Sequence, residues 1–356
     1  MSGRVYLDWN ATAPLRPEAR AAVIAALEVT GNPSSVHAEG RAAKALVERA
    51  REDVAALVGC KTREVIFTSG ATEAARVLEG GPASHDIYVE GTAHDCLMTH
   101  LRIGGAAERG HTLALGLANS ETGAVLELPA KGPDGYAFGA RRADWLLLDV
   151  VQAVGRIPFA FGWSGADFAV LSAHKLGGPK GVGALIVREG LDITALQTGG
   201  GQEMGRRSGT ENVAGIAGFG AAARAALAEL DAGVWDAVAA RRDALEARLL
   251  AAVPETIVVG KGARRLPNTS CLMTPGWKGE TQVMQMDLAG VAISAGSACS
   301  SGKVKPSRVL KAMGYDDRQA ASAIRVSIGP ATTDGDLERF AAAWITAHAR
   351  FRAKAA

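Results

Sequence analysis

Along the first sixty residues the apolar positions recur at helical spacing. Pro17 to Val29 and Glu39 to Val58 are built from strong helix formers, and Gly31 and Gly59 follow where a left-handed C-terminal residue is favoured. The pattern then changes. Val65-Ile66-Phe67-Thr68 is a short β-prone run, and Ser69-Gly70-Ala71-Thr72-Glu73 leads from it into a new helical pattern, so strand, tight turn and helix follow one another. Further apolar runs at 86–90, 113–117, 145–150, 168–172 and 184–187 show little alternation, as strands covered on both faces do. An α/β fold with a mostly parallel, helix-covered sheet is expected. From Ile216 to Ala252 the chain is Ala-rich and helical for longer than any earlier element, which marks a boundary. Beyond it lie strands at 256–260 and 268–273, a helix at 279–288, a Gly/Ser-rich stretch at 294–302, a helix at 306–314, a strand at 323–328 and a terminal helix. These read as a smaller α+β domain. The expected division is a large domain over 15–220 and a small one over 221–356 that takes in the N-terminal segment 1–14. Lys131 to Arg142 reads as a polar surface loop.

Composition then narrows the class. The 356 residues are 48% hydrophobic, enough for a core that folds without staples. Lys plus Arg total 39 against 37 Asp plus Glu, so no strong field draws the chain to nucleic acid or to an anionic membrane. The 43 glycines have no fixed period and suit tight turns and close backbone approaches. The four cysteines at 60, 96, 271 and 299 are far apart and form no CxxC pair, which speaks against a zinc site, an iron-sulfur motif or a secreted disulfide framework. His94 and Cys96 make a two-ligand fragment, too little for a metal site, and no metal is expected. The start, MSGRVYLDWNATAP, lacks a signal-peptide pattern, and charged or Gly residues interrupt the apolar runs before membrane-spanning length. A soluble protein of the reducing cytoplasm is the expectation.

The candidate chemistry gathers at strand ends. In Phe168-Ala169-Val170-Leu171-Ser172-Ala173-His174-Lys175 a Lys stands just past a buried strand, where α/β proteins build their sites. It is either a solvated loop Lys or an amine that forms a Schiff base with an aldehyde cofactor. Thr68 to Glu73 exposes backbone N–H groups at a helix start, with Thr72 adding a hydroxyl; this suits a phosphate, or Thr72 simply caps the helix. Asp149 closes the strand Trp145-Leu146-Leu147-Leu148, with Gln152 three residues on. It either holds a pyridinium nitrogen or caps the following segment. These three handles, a Schiff-base Lys, a phosphate cradle and a pyridinium-binding Asp, are together those of pyridoxal 5′-phosphate. His94, in Gly91-Thr92-Ala93-His94 after another strand, is then placed to lie over the cofactor ring, the alternative being a hydrogen-bonded core His. Gly296-Ser297-Ala298-Cys299-Ser300-Ser301-Gly302 surrounds one Cys with small residues, a setting for an exposed, swinging thiol, and Lys303 is the nearest cation in sequence. Cys60, Cys96 and Cys271 sit in helix-end or apolar contexts and read as structural. Arg325 lies inside the apolar strand Ala323-Ile324-Arg325-Val326-Ser327, paired either with a substrate carboxylate or with an Asp or Glu of the chain.

The motifs Tyr6 to Pro14, Gly31-Asn32-Pro33-Ser34-Ser35-Val36-His37, Phe67 to Glu73, Ser172 to Lys175, Arg207-Ser208-Gly209-Thr210, Gly296 to Ser301 and Arg325 occur in the order seen in cysteine desulfurases. The chain resembles the NifS/IscS-type group of these fold-type I, class V pyridoxal-phosphate enzymes nearly end to end. The resemblance implies that Lys175 holds the cofactor in the large domain and that His94 stacks on its ring and shuttles protons. It also implies that Cys299, in the small domain, takes the sulfur of L-cysteine as a persulfide while alanine leaves. Ala71, Thr72, Ser172 and His174 match phosphate-binding positions, and Thr210 one that reaches the phosphate across a homodimer interface. Asp149 and Gln152 match the residues at the pyridine nitrogen and phenolic oxygen, and Arg325 and Asn32 match substrate-binding positions. Where the family usually carries Asn-Asn this chain has Asn119-Ser120, so the expected contact to the cofactor oxygen falls on Ser120. A strand-helix segment expected between His94 and Asn119 is missing, and Gly123 to Asp149 looks altered. The implied partners are L-cysteine and a sulfur acceptor or iron-sulfur scaffold protein. The alternatives are another class V aminotransferase or lyase, such as a selenocysteine lyase, and a non-catalytic scaffold.

Overall fold

Five of the apolar runs form the strands that their lack of alternation predicts. In the computed structural model, which describes residues 3–80, 86–104, 110–139, 141–295 and 306–355, these runs join a sixth strand in one sheet. The order is Val65–Thr68, Gly183–Val187, Phe168–Ser172, Trp145–Asp149, Thr112–Gly116 and Ile87–Val89. The last four run parallel, and Gly183–Val187 is antiparallel to both of its neighbours. The central strands are buried apart from the half-buried Trp145, so the reading of an α/β fold with a mostly parallel, covered sheet holds. Because the parallel strands point one way, Asp149, Ser172 and the turns leading to His94 all leave the sheet at one edge.

The chain divides into two units. One comprises Ala13–Leu117 and Leu126–Ala232; the other comprises Met1–Thr12, Ala118–Val125 and Gly233–Ala356. The larger unit holds the six-stranded sheet. Its helix Val213–Asp231 has the length and mean apolarity of a membrane span, although Gly215, Gly218, Gly220 and Arg224 interrupt its apolar run as expected. It packs instead against the helices Pro17–Leu27 and Ala38–Val58. Glycine makes that packing possible: a Cβ on Gly218 would stand 2.5 Å from Val23, and one on Gly220 the same distance from the backbone of Ala50. The long helical stretch is not continuous, because Gly233 turns left-handed at φ 67° and a second helix, Val234–Ala252, starts there. Lys131 to Arg142, expected as a loop, is mostly a small meander of Lys131–Gly132, Gly135–Phe138 and Arg141–Ala143. Tyr136 anchors it, with its hydroxyl donating to the Gly165 carbonyl at 2.5 Å.

In the smaller unit the strands Ile257–Val258, Thr269–Met273, Ala323–Ser327 and Ser294–Ala295 form an antiparallel sheet. Two pairings were not legible in the sequence. Val5–Tyr6 lies parallel to Val291–Ala292, and Asp8 bridges to Ser327. These contacts bring the N-terminal segment beside the strand that carries Arg325. Trp277 and Trp344 are buried against one another and against His348.

Candidate active site

Lys175 owes its place to a turn whose carbonyls are all held. The strand Phe168–Ser172 runs into one 3-10 turn, Ala173–Lys175. Within it the carbonyl of His174 accepts from Ala13 N at 2.9 Å and that of Lys175 from Arg156 Nη2 at 3.0 Å. The carbonyl of Leu176 accepts from Arg16 Nε at 2.7 Å and that of Gly177 from Arg16 N at 2.9 Å. Arg16 is itself fixed by a bidentate pair with Glu229. Gly177 has φ 86°, and a Cβ there would strike the Arg16 side chain at 2.6 Å. Burial lowers the pKa of His174 to about 4, helped by the cations Lys175, Lys180 and Arg156, so this ring is neutral at pH 7.

Asp149 is the buried acid of the cluster. Its Oδ1 accepts from Val151 N at 2.9 Å, a local turn of the kind that the capping alternative describes. Burial raises the carboxyl pKa, and the Val151 N–H and the nearby His94 and Lys175 oppose that rise. His94 opens the short helical turn Asp95–Met98, and its Nδ1 accepts from Cys96 N at 3.1 Å. Cys96 Sγ stands 4.0 Å from Asp149 Oδ2. One donor atom each of His94, Cys96 and Asp149 thus lies within 4.8 Å of the others, so the structure adds a third residue to the fragment seen in the sequence. A metal ligand needs Cys96 as thiolate, and burial together with Asp149 pushes that thiol strongly up. The thiols of Cys60, pushed up to about 12, and of Cys271 are raised by burial as well.

At the other edge of the same sheet, the turn after Val65–Thr68 folds on itself. Thr68 Oγ1 donates to the Gly70 carbonyl at 3.0 Å, and Glu73 accepts from Ser69 N at 2.7 Å. Gly70 starts the helix Ala71–Ala74 with no side-chain cap, so Thr72 does not spend its hydroxyl as the helix cap. A Cβ on Gly183 would meet the Leu171 carbonyl at 2.6 Å and Gly70 Cα at 2.7 Å, so only glycine lets this turn lie close on the neighbouring strand. Glu73 also binds Arg207 Nε at 2.9 Å, which ties in the loop that carries Thr210. That loop has a second anchor in Glu203, whose buried carboxylate meets Arg51 at 2.7 and 2.9 Å and the Phe67 N–H at 2.9 Å. Thr210 and Asn32 are exposed, and Asn32 Oδ1 closes its own turn on Ser34 N.

A separate group forms in the smaller unit. Arg325 Nη2 donates to Asp8 Oδ1 at 2.7 Å and Nη1 to the Ser120 carbonyl at 3.1 Å, so the intramolecular ion pair of the two readings is present. The buried Nε has no hydrogen-bond partner. Asp8 Oδ2 accepts from Ser294 Oγ, and Asn10 Nδ2 adds a bond to the Ser120 carbonyl at 3.0 Å. Asn119 Oδ1 is committed to its own turn, accepting from Glu121 N, Thr122 N and Thr122 Oγ1. Cys299 lies outside the described residues, as does Lys303. Asp8, Asn10 and Arg156 had no assigned role in the sequence. The first two stand in the quoted Tyr6 to Pro14 motif, and Arg156 follows Gln152 by one helical turn.

The family model "Aminotransferase class-V" matches residues 5–87 and 107–340. The chain belongs to the class-V aminotransferase family. Within it, the chain is 40% identical to a "Cysteine desulfurase" of Cereibacter sphaeroides, over 94% of this chain and 93% of that one. It is 39% identical to a "Cysteine desulfurase" of a Frankia strain, over 94% and 88%. Among solved structures, the NifS-like protein from Rickettsia africae superimposes with a TM-score of 0.84 at 28% identity, covering 97% of this chain and 99% of that one. The class-V match skips 88–106, the stretch that holds His94 and Cys96. It overlaps the interval from His94 to Asn119 in which a strand-helix segment is expected, and here Ile87–Val89 ends the sheet with Arg102 bridging back to Ile87. An edge strand can be dispensed with at little cost to the core.

Proposed function

We propose that this protein is a cysteine desulfurase that uses pyridoxal 5′-phosphate, releases L-alanine from L-cysteine and keeps the sulfur as a persulfide on Cys299. The observation that carries the reading is the grouping of Asp149, His94 and Lys175 at one edge of the sheet. The residues fit the cofactor. A Cβ built on Gly70 meets nothing nearer than Ser172 Oγ at 3.9 Å, so open space for a phosphate lies beside the N–H groups of Ala71 and Thr72, Ser172 and the neutral His174. The buried Asp149 carboxylate suits a pyridinium N–H, and Lys175 Nζ would hold the aldehyde carbon. When bound, the cofactor supplies an electron sink for the substrate's carbon framework.

The chain's own residues do the rest. Because His94 Nδ1 accepts a backbone N–H, its neutral ring carries the proton on Nε2, which makes Nε2 the atom that hands a proton on. Gln152 would hold the phenolic oxygen, Asn119 and Ser120 would complete the cofactor contacts, and Thr210 would serve the phosphate of a second copy in a homodimer. Arg325 and Asn32 take the substrate carboxylate. The Cys299 thiolate forms an S–S bond to the substrate Sγ as the Cβ–Sγ bond breaks. The electron pair of that bond stays on Cβ, which takes up a proton as alanine forms. The large unit is the cofactor-binding part, and the small unit carries the Cys299 segment. A sulfur acceptor or iron-sulfur scaffold protein in the cytoplasm then receives the persulfide sulfur.

The test measures alanine and sulfide released from L-cysteine with a thiol reductant, wild type beside Cys299→Ala. Equal amounts from wild type and neither from the variant are expected. A fully active variant, or turnover without alanine, rejects desulfuration through Cys299 and favours a transaminase or lyase.

A further inference from the structure

Arg156 is 3% exposed and lies in the turn that follows the strand Trp145–Asp149. The chain doubles back at Gly155, with φ 77°, where a Cβ would press on Ala226 at 3.1 Å. Nη1 of Arg156 donates to Gln152 Oε1 at 2.5 Å and Nη2 to the Lys175 carbonyl at 3.0 Å. A guanidinium has five donors and no acceptor, so Gln152 must turn its oxygen toward Arg156 and carries its NH2 on the other branch of the amide. The two orientations of a carboxamide are nearly isosteric, and a short charge-assisted bond selects one of them. Of the four carbonyls held from His174 to Gly177, that of Lys175 goes to the guanidinium that also holds Gln152.

We propose that Arg156 is a positioning residue that sets the Gln152 amide donor-end outward and locks it to the backbone of Lys175, so that both reach one cofactor in a fixed relation. The proposal rests on the cofactor reading above. With the amide set this way, Gln152 donates to the anionic phenolic oxygen of pyridoxal 5′-phosphate. That donation stabilises the oxygen most when the neighbouring nitrogen has lost its proton, so it lowers the pH at which the visible band of the bound cofactor changes.

The experiment follows that band against pH, and the cofactor dissociation constant, in wild type, Arg156→Met, Arg156→Lys and Gln152→Leu. In Arg156→Met the midpoint rises by about one pH unit and cofactor binding weakens about tenfold, the scale of one charge-assisted hydrogen bond. Arg156→Lys keeps the charge with a single donor centre and falls between the two. In the Gln152→Leu background Arg156→Met adds little to the midpoint, because the contact is already gone. A merely structural Arg156 would lower the melting temperature and leave the midpoint where it was, and that result, or additive shifts in the double variant, overturns the proposal. Wild type that takes up no pyridoxal phosphate overturns the cofactor reading and this proposal together, whereas normal uptake with unmoved midpoints overturns this one alone.

Discussion

Removing the Asp8 carboxylate should expose how much of Arg325 is structure and how much is binding. The side chains are 8% and 17% exposed, Nη2 to Oδ1 is 2.7 Å, and the strand bearing Arg325 lies between Thr269–Met273 and Ser294–Ala295. Asp8→Ala leaves a buried guanidinium that still donates to the Ser120 carbonyl. Breaking one side of a buried pair costs about 3–5 kcal/mol, and allowing for the partial exposure of Asp8 the expectation is about 2–4 kcal/mol. Arg325→Met costs less, because the Asp8 carboxylate it strands is the more exposed partner and keeps the Ser294 hydroxyl, and the double variant should be less destabilised than the sum of the singles by more than about 1 kcal/mol. Urea unfolding followed by tryptophan fluorescence is the assay, since Trp9, Trp235, Trp277 and Trp344 all lie in the unit that holds the pair. The kinetic counterpart uses Asp8→Asn. Both Nη atoms of Arg325 are engaged and Nε is buried, so under the proposed function a substrate carboxylate would have to share the Nη atoms with Asp8. Losing the competing negative charge should lower KM for L-cysteine about fivefold, the roughly 1 kcal/mol of repulsion between unit charges about 4 Å apart in a water-like dielectric. A change below about 0.5 kcal/mol for Asp8→Ala, or strict additivity in the cycle, would refute the reasoning on the pair. A raised KM in Asp8→Asn would show that Asp8 aims Arg325 rather than competing for it.

Glu203→Ala should destabilise the larger unit by about 3–5 kcal/mol, because Arg51 and the Phe67 N–H lose their common buried acceptor; chemical unfolding monitored on the sheet by circular dichroism measures it. Met204 is exposed and left-handed at φ 58°, so Met204→Gly should raise the melting temperature through relief of about 1 kcal/mol of backbone strain, and a lower one would contradict the strain. His174 titrates near pH 4 when folded and near 6.5 when unfolded, so the unfolded chain binds the extra proton between those values and stability falls as pH drops through that window. The full shift corresponds to about 3 kcal/mol, nearer 1–2 after screening at a partly exposed ring, and His174→Gln should flatten the pH 4–6.5 slope of unfolding free energy in the cofactor-free chain.

The residues with candidate chemistry were legible because each stands where a hydrophobic run stops. Asp149, Ser172 with His174 and Lys175, Thr72 and His94 all follow strands of one sheet, and parallel strands carry their ends to one edge. The residues that hold them were not legible, for a physical reason. Arg16 to the Leu176 carbonyl spans 160 positions, Arg51 to Glu203 spans 152 and Arg325 to Asp8 spans 317. A local pattern records what a side chain does to its own helix or strand, and none of these partners shares one. Arg156 is the instructive exception: Gln152 precedes it by four residues, inside the range of a sequence reading, yet in the string it is simply a cation beside a turn. Its role becomes visible through the second contact, to Lys175 nineteen residues away. The same logic explains the elements that were misread. Val5–Tyr6 and Val291–Ala292 are too short to announce themselves and exist as strands through each other. The stretch Lys131 to Arg142 forms its meander because the buried Tyr136 finds an acceptor in a loop 29 residues on, which turns a polar run into a sheet. Local pattern therefore locates the chemistry here, and long-range polar pairing decides whether it is held still enough to work.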